Sequence, residues 1–271
     1  MRSPVIRAKR RLIGAHGGAE GERSIPAEVP IALTYDRATY AVMMASPADL
    51  EDFALGFSLS EQIIQTPAEI AELDVVEMPR GYELRMALKH SRAAELESRR
   101  RRIAGPAGCG LCGIESLEAA IRPPKRVEAK LAVPSATIFT AMRALDKFQV
   151  MNAETHAVHA AGFWSLEANR YAAVREDVGR HNALDKLIGA LARADADAAK
   201  GFIAMTSRVS IELVQKTAVI GCPMLVAVSA PTSFALEAAE AANITLVAVA
   251  RDDSFEVFTH RERISQDAHV T

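Results

Sequence analysis

Two cysteines at C-x-x-C spacing, Cys109 and Cys112, sit in Gly108-Cys109-Gly110-Leu111-Cys112-Gly113, where glycines leave both thiols with little side-chain cover. The run Arg99 to Arg102 lies upstream, and Ile114-Glu115-Ser116-Leu117-Glu118-Ala119-Ala120 reads as a helix start downstream. Cationic neighbours and a helix N-terminus both favour the thiolate, which is the nucleophilic form. The spacing therefore predicts a reactive pair on a flexible loop. The arginine run reads either as a solvated hinge or as an anion- or partner-facing patch.

Several chemistries use a C-x-x-C. A structural zinc site needs four ligands, and this chain has no second C-x-x-C, so only a four-cysteine site bridging a dimer would serve. A thioredoxin-like dithiol follows directly on a strand, and no strand-like run precedes Cys109. Zinc deaminases carry H-x-E before P-C-x-x-C. Here His159 follows the cysteines, and His156-Ala157-Val158-His159 has no glutamate. A covalent sulfur or redox nucleophile remains. The third cysteine, Cys222 in Ile220-Gly221-Cys222-Pro223, precedes an apolar run and reads as a small buried hydrophobe.

A second cluster, Arg175-Glu176-Asp177-Val178-Gly179-Arg180-His181-Asn182-Ala183-Leu184-Asp185-Lys186, leads into an amphipathic helix. Capping by Asp177 or Asn182 explains part of it. Arg180 beside His181 exceeds what a cap needs and points to function. His159, in a run of small residues, is either a core histidine or a member of the same site.

The elements that must position these groups follow from apolar patterning. Residues 1–24 are polar, basic and glycine-dotted, and read as a loosely ordered tail. Val29–Tyr35 and Tyr40–Met44 read as strands around Asp36-Arg37, and Leu73–Met78 and Tyr82–Leu88 as two more. Between the pairs, Ser46 reads as an N-cap with Pro47 first in the helix, and Leu50, Phe53, Ala54 and Phe57 repeat at helical spacing. Residues 25–103 thus form a small α+β domain, and 104–116 the C-x-x-C loop.

Residues 117–271 contain helices at 136–145 and around Leu184–Leu191. Strand Phe202–Met205, helix Ser210–Val219, strand Leu225–Val228, helix Ser233–Ala242 and strand Thr245–Val249 follow. Such alternation predicts an α/β sheet with parallel strands, α+β overall with the first domain. Ligands of such sheets bind at the strand C-termini. The loops there, Thr206-Ser207-Arg208, Ser229–Ser233 and Arg251–Ser254, combine hydroxyls, arginines and helix starts and suit a phosphate-bearing ligand.

Composition bounds the class. The 271 residues are 24% charged with formal net charge −2, against a general nucleic-acid binder. Three cysteines exclude a secreted disulfide framework, and no apolar run is long enough for a membrane span. The N-terminus lacks the apolar core of a signal peptide, so a cytoplasmic protein is expected.

Five stretches in order resemble the FdhD family of formate dehydrogenase accessory sulfurtransferases. They are Met43–Phe57, the Cys109 loop, Arg175–Lys186, Ser207–Lys216 and Val228–Ser233, and the likeness runs from about Glu28 to Thr259. The resemblance implies a sulfur carrier that takes sulfur from a cysteine desulfurase as a Cys109 persulfide, with Cys112 matching the second family cysteine. It implies delivery to the molybdenum of a bis-molybdopterin guanine dinucleotide, for which a GDP-like nucleotide is a mimic, before that cofactor enters formate dehydrogenase. It also implies a three-layer, cytidine deaminase-like C-terminal domain without structural metal, and a homodimer. The family's cofactor-binding stretch falls on Val249, Ala250, Arg251, Asp252, Asp253 and Ser254, departing from the usual Gly-Arg ending at Asp253-Ser254. A carrier that is only a cofactor-binding chaperone, or a dimer-bridging zinc protein, are the alternatives.

Overall fold

The computed structural model describes residues 2–90, Leu96 and 124–265. Cys109, Cys112 and Arg99–Arg102 lie outside the described residues.

The chain opens with a long hairpin, β1 (Val5–Gly14) and β2 (Gly17–Pro26), paired from Val5↔Pro26 to Gly14↔Gly17. This corrects the tail expected for residues 1–24. Both faces of the hairpin are largely exposed, so its sequence carries no apolar alternation to announce a strand. Its foot is held by Ala27 N–H donating to Pro4 O and Arg23 donating to Thr155 O.

A four-stranded sheet follows, built from β3 (Val29–Tyr35), β4 (Ala38–Ala45), β5 (Ile70–Met78) and β6 (Gly81–Leu88) in the order β4-β3-β6-β5. Helix α1 (Leu50–Ser60) covers one face. Its Leu50, Phe53, Ala54 and Phe57 pack on Ile31, Leu33, Tyr35, Leu84 and Met86. Burying each large apolar side chain contributes roughly 1.5–3 kcal/mol, which fixes the helix to the sheet. The helix begins later than expected. Asp49, in a left-handed conformation (φ 53°), precedes it, and Ser46 is buried away from the helix start.

The second sheet has six strands: β8 (His159–Ser165), β9 (Arg170–Asp177), β10 (Gly201–Met205), β11 (Met224–Ala227), β12 (Thr245–Arg251) and β13 (Ser254–Val257). Their order is β13-β12-β11-β10-β8-β9, and the β10, β11 and β12 centre is parallel. Alternation along β10 sends Ile203 and Met205 to one core, Phe202 and Ala204 to the other. The first core is closed by α4 (Arg180–Arg193), α5 (Ile211–Val219) and α6 (Ser233–Ala241), the second by α2 (Ser135–Leu145). Helix α3 (Val150–Thr155) leads into β8, and a short parallel pair, β7 (Val133–Pro134) with β14 (Ile264–Ser265), completes the fold. No helix among the described residues is long and apolar enough to cross a membrane.

Helices α1 and α4 join the two sheets. Added Cβ atoms would stand 1.7 Å from Asp185 O at Gly56 and 1.9 Å from Asp52 O at Gly189. Only glycine lets these backbones come so close.

Candidate functional site: the C-terminal edge of the parallel strands

The three loops predicted to form a crevice do meet. Val209 bridges Pro231, with Val209 N–H donating to Ala230 O at 3.4 Å and Thr232 N–H to Val209 O at 3.0 Å. Arg251 Nε donates to Val228 O at 2.9 Å, tying the β12 end to the β11 end. Thr232 caps α6 through its side chain. Ser207 is buried, whereas Arg208 is exposed.

Within Val249–Ser254 the residues divide. Ala250 is buried in the apolar core, and Val249 and Asp252 take left-handed conformations around a bulge into β13. Arg251, Asp252, Asp253 and Ser254 are exposed. Arg251 thus stands at the strand ends, with two aspartates beside it.

The Arg175–Lys186 cluster is placed at the neighbouring end of β9 and the start of α4. Asp177 is fully buried and uses both carboxylate oxygens twice. Oδ2 accepts from Ser46 N–H at 2.9 Å and Lys186 Nζ at 2.7 Å. Oδ1 accepts from Gly179 N–H at 2.8 Å and Asn182 Nδ2 at 3.0 Å. Lys186 also donates to Ser46 O at 2.9 Å, and Val178 N–H to Ser46 Oγ at 3.2 Å. The residue expected to cap α1 is therefore the anchor between the domains. A buried ion pair needs this many supporting bonds to offset its desolvation. Gly179 is the residue before α4, so neither Asp177 nor Asn182 is a simple cap.

A second buried group lies one turn along. Lys216 Nζ donates to Asp185 Oδ1 at 2.9 Å, Glu61 Oε1 at 2.8 Å and Ser60 Oγ at 2.9 Å, and Ser60 Oγ donates to Asp185 at 2.6 Å. Burial opposes the Lys216 charge, but Asp185 and Glu61 outweigh it and raise its pKa. At the rim, Asp52 takes Arg175 at 2.7 Å and Arg193 at 3.0 Å. Sequence reasoning missed Ser46, Lys186, Lys216 and the glycine pair as members of one joint. The available signal was a lysine at an inward position of each amphipathic helix.

Three basic side chains remain. His159 begins β8, beside Thr206, whose Oγ1 accepts from Ala160 N–H at 2.9 Å. Burial, then the Arg180 charge, hold its imidazole below the usual histidine range. His181 Nε2 lies 3.4 Å from Ser210 Oγ and 3.9 Å from Glu212 Oε2. Arg180 Nε is sealed from solvent with no hydrogen-bond partner, as is Glu212 Oε2.

Cys222, by contrast, is where the sequence put it. It is fully buried, and burial pushes its thiol up to about 12.

The sequence profile of the FdhD/NarQ family matches residues 26–265, which include both sheets and the joint between them. The chain belongs to the FdhD/NarQ family. It is 53% identical over 247 residues to the sulfur carrier protein FdhD of Agrobacterium fabrum (strain C58 / ATCC 33970), covering 91% of each chain. It is 45% identical over 260 residues to that of Xanthomonas campestris pv. campestris (strain B100), covering 96% of this chain and 92% of the relative. A crystal structure described as a formate dehydrogenase accessory protein from Desulfotalea psychrophila superposes with a TM-score of 0.75 at 26% identity. That match covers 97% of this chain and all of the other. The family profile begins at the end of the hairpin, so the α1–α4 joint and the strand-end crevice lie within the matched region while β1 and most of β2 do not.

Proposed function

We propose that this chain is a sulfur carrier serving formate dehydrogenase, with sulfur held as a persulfide on Cys109. The observation that carries the assignment is the state of the third cysteine. A carrier needs a thiolate that a donor can reach, and the chain has three cysteines. Cys222 is buried, and its thiol stays protonated at neutral pH. The cargo therefore falls to the glycine-framed pair, Cys109 and Cys112.

In the loading step, the Cys109 thiolate attacks the outer sulfur of a cysteine desulfurase persulfide. The new S–S bond forms as the donor S–S bond breaks, and the desulfurase cysteine leaves as its thiolate. No electrons are gained or lost overall. The recipient is the molybdenum of a bis-molybdopterin guanine dinucleotide, a substrate whose phosphates suit the strand-end crevice; GDP is its soluble mimic. Residues Arg251 to Ser254 edge that crevice. Sulfurtransferase activity, a homodimer in the cytoplasm and contact with both the desulfurase and formate dehydrogenase complete the proposal.

Intact-mass measurement after incubation with a desulfurase and cysteine tests it. The wild-type chain and Cys222→Ser should each gain one sulfur atom, and Cys109→Ser none. Cys112→Ser should still load. Loading of Cys109→Ser to the wild-type level would overturn the assignment.

A further inference from the structure

The hairpin β1–β2 is a sheet of two strands, joined to neither larger sheet and tied down at its foot by Ala27 N–H to Pro4 O and Arg23 to Thr155 O. Beyond that foot, residues 9–23 are all exposed. At roughly 3.4 Å per residue, strands of this length carry the turn about 30 Å outward.

The arm is graded along its length. Leu12 and Ile13, 54% and 81% exposed, stand next to the turn. Successive strand residues point to opposite faces, so each face of the tip carries one of them. Their cross-strand partners, Ala19 and Gly18, are too small to shield them. Residues 12–19 contain no Asp, Glu, Lys or Arg. Behind this tip come Arg11, Arg10, Lys9 and Arg7. Arg11 faces Glu20 at 3.6 Å, and Lys9 lies opposite Glu22. Arg10 and Arg7 lie opposite Gly21 and Ser24, one on each face, with no acidic partner across the ribbon. The hairpin thus carries five basic residues against Glu20 and Glu22, in a chain of net charge −2.

An uncharged apolar tip with a cation behind it on both faces fits one kind of surface. A rigid protein partner covers one face of a ribbon and leaves the apolar residue of the other in water. A nucleic acid would take the arginines and leave both apolar residues wet. A lipid interface closes around both faces, receiving apolar side chains at the acyl boundary and basic ones among anionic headgroups. The outer edges of both strands keep backbone groups that need water, so the tip stays at headgroup depth.

We infer that the β1–β2 hairpin docks this chain peripherally on an anionic lipid surface. Leu12 and Ile13 enter the interface, and Arg7, Lys9 and Arg10 face the headgroup phosphates.

Flotation of the full chain with vesicles of phosphatidylcholine, alone or mixed with phosphatidylglycerol, tests this. At low salt the mixed vesicles should bind about tenfold more protein, and about 0.5 M NaCl should release it. Leu12→Ser with Ile13→Ser should lower binding to the mixed vesicles about tenfold. Arg7→Gln with Arg10→Gln should abolish the preference for them. Both pairs are exposed, and melting curves matching wild type exclude misfolding as the cause. Ile13→Trp should be quenched by brominated lipid, whereas the buried Trp164, the single tryptophan of the wild-type chain, should not. A wild-type chain that fails to bind the mixed vesicles would overturn the inference. So would full binding by the Leu12→Ser, Ile13→Ser chain, which would mark the arm as a charge contact for an acidic protein surface.

Discussion

Gly189→Ala pits helix propensity against the close approach of two helices. In an exposed helix interior the change would stabilise by about 1 kcal/mol. Gly189 does not have positive φ, so nothing in its own backbone opposes alanine. The obstacle is α1. A Cβ on Gly189 would stand 1.9 Å from Asp52 O, whereas ordinary contact begins near 3.4 Å, so the helices must part by roughly 1.5 Å. Overpacking alone costs about 1–3 kcal/mol. The same movement lengthens the Asp52 pairs with Arg175 and Arg193 and the Ser60–Asp185–Lys216 group, all of which bridge α1 to the second domain. Loosening buried, charge-assisted bonds adds a comparable sum, because each group left short of a partner costs about 1–3 kcal/mol. After the propensity gain, a net loss of about 1–5 kcal/mol is expected. Equilibrium urea unfolding followed by far-UV circular dichroism measures it as a lowered midpoint. A Gly189→Ala chain as stable as wild type, or more so, would show that the helices separate freely and refute the reasoning.

Two further outcomes follow from the same joint and its edge. Lys186→Met leaves the Asp177 carboxylate buried without its counter-charge, at a cost of about 3–5 kcal/mol; Asp177→Asn in the same chain should recover part of the loss, and an unchanged urea midpoint for Lys186→Met would contradict the account. His159 is held below the usual histidine range in the folded chain, by burial first and then by Arg180. The unfolded chain therefore binds the extra proton first, and stability should fall as pH drops below about 6.5 toward the lower folded value. His159→Gln should flatten that part of a stability–pH profile measured by thermal unfolding, and an identical slope in both chains would exclude His159 as its source.

The sequence alone determined the fold class and marked Cys109 and Cys112 as the candidate pair. Apolar runs of strand length alternating with amphipathic helices specify an α/β sheet because burial periodicity is a local property of the chain. The parallel centre, β10 to β12, and helices α5 and α6 stand within a few residues of the patterned runs. The glycine frame of Cys109 and Cys112 and the apolar setting of Cys222 are likewise local, and the buried Cys222 is where that setting put it. The hairpin β1–β2 escaped because neither of its faces is covered, so pairing rather than burial defines it. Only the tertiary structure decided the rest. Ser46 has the sequence of a helix cap, yet Asp177, 131 residues away, claims its backbone N–H. Gly56 and Gly189 look like weak helix residues until two helices are brought into contact. Arg180 reads as one of seven ionisable residues in its stretch, and only the fold shows that its Nε is sealed from solvent without a hydrogen-bond partner. Which polar atom is left without a partner depends on every neighbour at once, and such an account can be closed only in three dimensions.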